Sequence, residues 1–254
     1  MSAATPPPLS VEGLTVAYDR RPVLWDVSWT LSRPCLAAVV GPNGAGKSTF
    51  VKAVLGIVPA LAGRVSLFGQ PPAAVRRRVA YLPQRESVDW DFPASALDVA
   101  AMGLYGRVGL FRRLTRRHRE AALGYLDRVG MAGLADRQIG QLSGGQQQRV
   151  FLARALAQEA DIFFMDEPLA GVDKTTEAAL IEVLRAIRGS GRAVVAVHHD
   201  LRSVPDYFDE VLMLNVERVA AGPVASAFTD ETLRRTFGGR LETLGPAARP
   251  TAAA

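Results

Sequence analysis

The chain has 254 residues, 48% of them hydrophobic, enough for one α/β domain, or a domain with a subdomain, around a sizeable core. Its single cysteine, Cys35, excludes an internal disulfide and fits a reducing cytoplasm, and no stretch approaches the ~20 uninterrupted apolar residues of a membrane-spanning helix. A net charge of +5 allows nucleic acid or an anionic membrane surface as partner and requires neither. Residues 1–8 have no basic start and no apolar core, so they read as a disordered tail and not a signal peptide. Residues 10–18 and 23–31 read as strands joined by the turn Arg20-Arg21-Pro22. The apolar run Leu36–Val40 reads as a buried strand, followed by a glycine-rich loop and a helix to about Leu55, ended by Gly56 and Pro59. Short strands follow at 64–68 and Val79–Leu82. From about 96 to 158 the sequence turns helical and rich in Ala, Leu and Arg, as an inserted helical subdomain would be. Strands at 162–165, Ala193–Val197 and 211–214 alternate with helices at 174–188 and 201–208, a pattern that predicts a parallel sheet covered by helices. A second Ala/Pro tail is expected over 241–254.

The glycine-rich loop is Gly41-Pro42-Asn43-Gly44-Ala45-Gly46-Lys47-Ser48-Thr49. It has the spacing G-x-x-x-x-G-K-[ST] between a strand and a helix. Glycines bring backbone N–H groups close to an anion, and the helix start adds its dipole. Lys47 supplies a cation for terminal phosphates, and Ser48 a hydroxyl for magnesium. This combination predicts binding of a nucleoside triphosphate. At the end of the apolar strand 162–165 stand Asp166 and Glu167, where ligands gather in open α/β sheets. Asp166 suits magnesium held through water, and Glu167 a general base for the attacking water.

A third motif, Leu142-Ser143-Gly144-Gly145-Gln146, runs directly into Gln147-Gln148-Arg149-Val150 and a helix to about 158. Ser143 is a good N-cap, and the glycines leave N–H groups open to an anion. With the two phosphate motifs in this order, residues 9–239 resemble the ATP-binding cassette (ABC) ATPases. The resemblance implies a phosphate-loop NTPase core with an antiparallel β subdomain and an inserted α-helical subdomain, spanning 9–240. It implies ATP and Mg2+ as cofactors, Tyr18 as the aromatic that stacks on adenine, and Gln84 as a contact to magnesium and water. Asp173, in Gly171-Val172-Asp173, falls in the dimer-contact loop, and His199 matches the γ-phosphate sensor. Two adjacent histidines on a strand face opposite ways, so His198 reads as a bystander and not as half of a metal site. In this family two copies pack head to tail, and Ser143 of one caps the γ-phosphate held by Lys47 of the other.

A single cassette with no coiled-coil insertion and no spanning helix looks like an importer ATPase docked on a separate permease. Its place would be the cytoplasmic face of the membrane, with an extracytoplasmic solute-binding protein as indirect partner and no nucleic acid. The docking stretch is 85–93, with Trp90 and Phe92 either as interface anchors or folded back into the helical subdomain. The run Arg112–Arg119 reads first as a solvated face, second as a membrane contact and third as a nucleic-acid contact. Residues 82–93, Leu169-Ala170-Gly171-Val172-Asp173 and His198-His199-Asp200-Leu201 resemble the ATPases of manganese, zinc and iron uptake. Siderophore, haem or cobalamin uptake is the alternative, and a soluble, non-transport ABC ATPase comes after it. The three histidines and one cysteine are not spaced as a transition-metal site, so the transported ion is expected to be selected on other subunits.

Overall fold

Apolar runs without polar interruption form strands buried at every residue, as sheets covered on both faces require. Leu36–Val40 (β3) and Ala193–Val197 (β7) are of this kind. The structure is a computed structural model that describes residues 5–19, 21–84, 88–109 and 113–238. Its chain divides into two units, residues 1–76 with 193–254, and residues 77–192.

In the first unit β3 lies between β7 and Glu210–Asn215 (β8), all parallel, with Leu36 opposite Val194 and Ala37 opposite Glu210. Glu217–Pro223 (β9) returns antiparallel along β8. A separate antiparallel sheet places Leu9–Tyr18 (β1) between Arg21–Leu31 (β2) and Ala62–Ser66 (β4). Buried residues alternate along β1, the pattern of a sheet with one face on a core. Lys47–Val54 (α1) is seated on this sheet by Phe50, whose ring lies 6.0 Å from that of Trp29 on β2. Both rings are buried, and burial of each contributes roughly 1.5–3 kcal/mol.

In the second unit Val79–Leu82 (β5) pairs in parallel with Ile162–Asp166 (β6), Tyr81 opposite Phe164. Three helices pack on one another: Ala96–Met102 (α2), Arg116–Arg128 (α4) and Gly144–Ala157 (α5). Tyr105–Val108 (α3) is a single turn. Buried residues run around most of α5, the signature of an interior helix. Lys174–Gly189 (α6) follows β6 and buries Leu180, Ile181, Leu184 and Ile187 along one stripe.

The structure corrects several expectations. Pro8, assigned to the tail, is buried, and its carbonyl accepts from Phe68 N–H at 3.3 Å. The strand expected at 64–68 is β4, two residues earlier, and the turn expected at 20–22 is shorter, because Arg21 and Pro22 already belong to β2. Pro22 is tolerated there because β2 is an outer strand of its sheet. Helix 201–208 shrinks to Val204–Tyr207 (α7). Three elements after β8 went unforeseen. Val224–Ala227 (α8) is one turn, and β9 has a Gly-Pro end and little β-propensity, its pairing to β8 overriding its composition. Asp230–Phe237 (α9) is polar but well capped, with Thr229 and Thr232 forming a capping box, acids in its first turn and arginines in its last. Arg20, 85–87, 110–112 and both chain ends, 1–4 and 239–254, lie outside the described residues, and with them the tail expected over 241–254.

Candidate functional site

Gly41 leaves β3 so close to β8 that a β-carbon there would lie 2.1 Å from Leu214 O. Gly46, at φ 91°, ends the loop, and a β-carbon there would lie 2.6 Å from Val23 O and from Leu24 Cδ2. The loop between them is thus clamped by β8 on one side and β2 on the other. Inside it Ala45 N–H donates to Pro42 O (3.1 Å), and Val216 N–H donates to Ala45 O (3.2 Å). Lys47 is buried, and its Nζ donates to Gly41 O and Pro42 O at 2.9 Å each. The lysine therefore curls over the loop it follows. α1 is entered from Gly46, which has no side chain to cap it, and a helix start following a glycine-rich loop is the arrangement that receives phosphate. Asn43 and Gly44 are exposed, and Ser48 and Thr49 half-buried, at the mouth of this cradle.

Elsewhere in the first unit, Tyr18 ends β1 with 46% of its surface exposed, as a stacking aromatic must be. The two histidines lie just beyond β7, not on it, and differ as expected: His198 is buried and His199 exposed. His198 Nε2 lies 2.7 Å from Ser203 Oγ. Ser203 gives its one proton to Asp200 O at 2.9 Å, so Nε2 must be the donor in that pair. The imidazole also packs against the ring of Phe208, centroids 5.1 Å apart. His198 is thus tied into the fold, and His199 is the exposed histidine of the pair.

In the second unit Asp166 ends β6 with its carboxylate buried, and Glu167 follows, half-buried, with its backbone in the left-handed region at φ 57°. That conformation is strained for a residue with a β-carbon and needs support from its surroundings. Beside them on β5, the Tyr81 hydroxyl is pushed up to about 12 by burial and then by the Asp166 charge. Gln84 is half-exposed two residues past β5. A buried carboxylate at a strand end and a polar glutamine match the oxygen donors that magnesium prefers, and the hydroxyl of Ser48 in the first unit is of the same type.

Ser143 caps α5. Its Oγ accepts from Gln146 N–H at 3.4 Å, and Gln146 Oε1 accepts from Ser143 N–H at 2.9 Å. Gly144 and Gly145 follow in the first turn, and Leu142 is buried before it. Asp173 caps α6, accepting from Thr176 N–H (2.9 Å) and Thr176 Oγ1 (2.7 Å), and these bonds hold its carboxyl below the usual carboxylate range. The docking stretch separates its two aromatics. Trp90 turns inward onto Phe151 of α5, ring centroids 4.9 Å apart, whereas Phe92 is 53% exposed. Trp90, half-buried, thus packs against the helical subdomain, the second of its two expected placements. The chain after it is laced to the approach to the signature: Ile139 N–H donates to Ala94 O (2.9 Å), and Ala96 and Leu97 N–H donate to Arg137 and Ala135 O (2.8 Å each). Of the basic run, Arg113, Arg116, Arg117 and Arg119 are exposed; Arg116 pairs with Glu120 (3.0 Å) and Arg119 with Asp98 (3.7 Å).

Two residues at the site escaped sequence reading. Gln148 is buried, and its Nε2 donates to Glu167 O at 3.4 Å. Its signal was spacing, since it stands three residues after Gly145 and shares that helix face. Val216, at φ 66°, ties the loop to β2 through Ala45 O and through Trp25 N–H, which donates to Val216 O at 2.9 Å. Its signal was hidden with the unforeseen β8–β9 hairpin.

A clamped phosphate loop, a strand-end carboxylate pair and a capped signature helix define an ATPase of the phosphate-loop class with the ABC fold. The ABC transporter family model matches residues 24–170, and the chain belongs to that family. It is 51% identical over 239 residues to the zinc transport system ATP-binding protein TroB of Treponema pallidum (strain Nichols), covering 94% of this chain and 90% of that protein. It is 52% identical over 234 residues to the manganese transport system ATP-binding protein MntB of Bacillus subtilis (strain 168), covering 92% and 94%. An ABC transporter solved in an inward-facing conformation superposes with a TM-score of 0.79 at 26% identity, over 91% of this chain and 88% of that one. Among the described residues, no helix is long and apolar enough to cross a membrane, and no group of three His, Cys, Asp or Glu side chains is arranged to hold a metal ion.

Proposed function

We propose that this chain hydrolyses ATP to power uptake of a divalent transition metal ion, manganese or zinc, through a separate permease at the cytoplasmic face of the membrane. One observation carries the choice of cargo: the likeness to TroB and MntB runs through more than nine-tenths of this chain at about half identity. The chemistry follows from the residues. The loop 41–49 and Lys47 bind the phosphates, and Tyr18 stacks on adenine. Ser48, Asp166 and Gln84 are the oxygen donors for Mg2+, which when bound offsets phosphate charge. Glu167 accepts the proton of the attacking water, and His199 contacts the γ-phosphate. Ser143, with the N–H groups of Gly144 and Gly145, serves the ATP of a second copy, and Asp173 lies in the contact between copies. Phe92, exposed on a segment laced to the signature approach, carries the permease contact.

Replacing Glu167 by Gln tests the chemistry. ATP binding persists because the loop is untouched, hydrolysis nearly stops, and an ATP-bound dimer accumulates in size-exclusion chromatography. Wild-type turnover in Glu167→Gln overturns the base assignment. The cargo is tested by deleting the gene: the strain grows poorly under chelation and recovers with added manganese or zinc. Normal metal accumulation with lost siderophore or cobalamin uptake overturns the metal assignment. Phe92→Ala fails to complement the deletion while the purified protein keeps its basal ATPase activity.

A further inference from the structure

The strained backbone of Glu167 is held from outside its own loop. Its carbonyl accepts from Ala170 N–H at 3.2 Å, which closes the local turn, and from Gln148 Nε2 at 3.4 Å, which belongs to the second turn of α5. Gln148 is 3% exposed, so its amide is committed to the interior. One turn earlier on the same face, a β-carbon on Gly145 would touch Val172 Cγ1 at 3.5 Å. Positions 145 and 148 are neighbours on a helix surface. This face of α5 therefore lies along the stretch from Glu167 to Val172 and is bonded to it at Glu167.

We propose that Gln148 is a positioning residue for ATP hydrolysis: its amide holds Glu167 in the left-handed conformation and makes α5 a strut from the signature serine to the general base of the same chain. A left-handed residue persists only when its surroundings over-determine it. A donor on the Glu167 carbonyl fixes the peptide plane that follows the residue, and so fixes ψ. Because α5 is rigid and interior, a shift of its N-terminus when Ser143 engages the partner's nucleotide moves the Gln148 amide with it. Completion of the distant site then adjusts the base that serves the chain's own ATP. The proposal rests on the reading of Glu167 as general base, and its test separates the two.

The test is a double-mutant cycle on the full chain with Mg-ATP. Gln148→Met keeps length and loses the donor. It is expected to lower kcat by ~10–100-fold, the usual result of misplacing a reacting group by about 1 Å, with ATP affinity unchanged. In the Glu167→Gln background, Gln148→Met is expected to lower residual hydrolysis no further, because a residue acting through the carboxylate has nothing left to position. A merely structural role gives additive losses. Additive losses, or wild-type kcat in Gln148→Met, overturn the proposal. Should Gln148→Met lose ATP binding, Gln148→Glu runs the same cycle, replacing the donating amide by a carboxylate of equal length that only accepts. If Glu167→Gln alone retains wild-type turnover, the base reading fails first, and a kcat loss in Gln148→Met must then be additive.

Discussion

At the start of α1, a β-carbon on Gly46 would press to 2.6 Å against the Val23 carbonyl, whereas at the start of α5 one on Gly145 would meet only Val172 Cγ1, at 3.5 Å. The first helix has no side-chain cap and follows a left-handed glycine; the second is capped by Ser143 and Gln146 in a reciprocal box. Both starts carry glycines, yet of Gly46 and Gly145 only Gly46 is required by the chain's own packing. Among the described residues of its own unit, a β-carbon on Gly145 would fit without displacement. On the proposed reading, in which Ser143 serves the ATP of a second copy, the contrast separates a site built by one chain from a site completed by two.

Gly46→Ala breaks this comparison most severely. The positive φ and the backbone clash together are expected to cost roughly 2–5 kcal/mol in chemical denaturation and to abolish ATP binding. A variant as stable as the parent would mean that the clamp yields easily. Gly145→Ala is the counterpart: stability stays within about 0.5 kcal/mol and binding of ATP by the single copy is kept, while hydrolysis by the dimer falls. Equal loss of stability in both variants would erase the distinction. Ser143→Ala removes the α5 cap and is expected to cost about 1 kcal/mol, with Ser143→Gly milder, read as shifts in the urea midpoint.

The smallest effect sharpens the picture of the clamp itself. Glu210 opens β8, the strand whose far end closes on Gly41, and burial first, then the neighbouring Asp209, push its carboxyl above its ordinary 4.5, against Arg33. A raised folded value means that stability is lost as pH rises from about 4.5 through that value. Glu210→Gln escapes this loss. It is expected to unfold at a slightly higher temperature than the parent at neutral pH, with the gain fading below pH 4.5. A gain that persists in acid would place its cause in packing and not in charge.

Residues 41–49, 142–146 and 166–167 announced themselves in the sequence because phosphate chemistry demands set residue types at set spacings along a few turns of chain. The uninterrupted runs at β3, β6 and β7 were legible for a similar reason, since a strand buried on both faces has no room for polar residues. Cap, loop and strand are local, and local rules suffice for them. Other features rested on contacts between residues far apart in the chain. Trp90 and Phe92 look alike in sequence, and only the ring of Phe151 turns one inward. Gln148 reads as one more polar residue on a helix until the Glu167 carbonyl is found against it. The strand β9 and the strained Val216 exist because β8 offers an unpaired edge and Ala45 a carbonyl, neither visible from their own composition. Spacing along the chain decided which chemistry the protein carries; which side chains hold that chemistry in place was decided where distant segments meet, because there the free energy of burial and hydrogen bonding outweighs local preference.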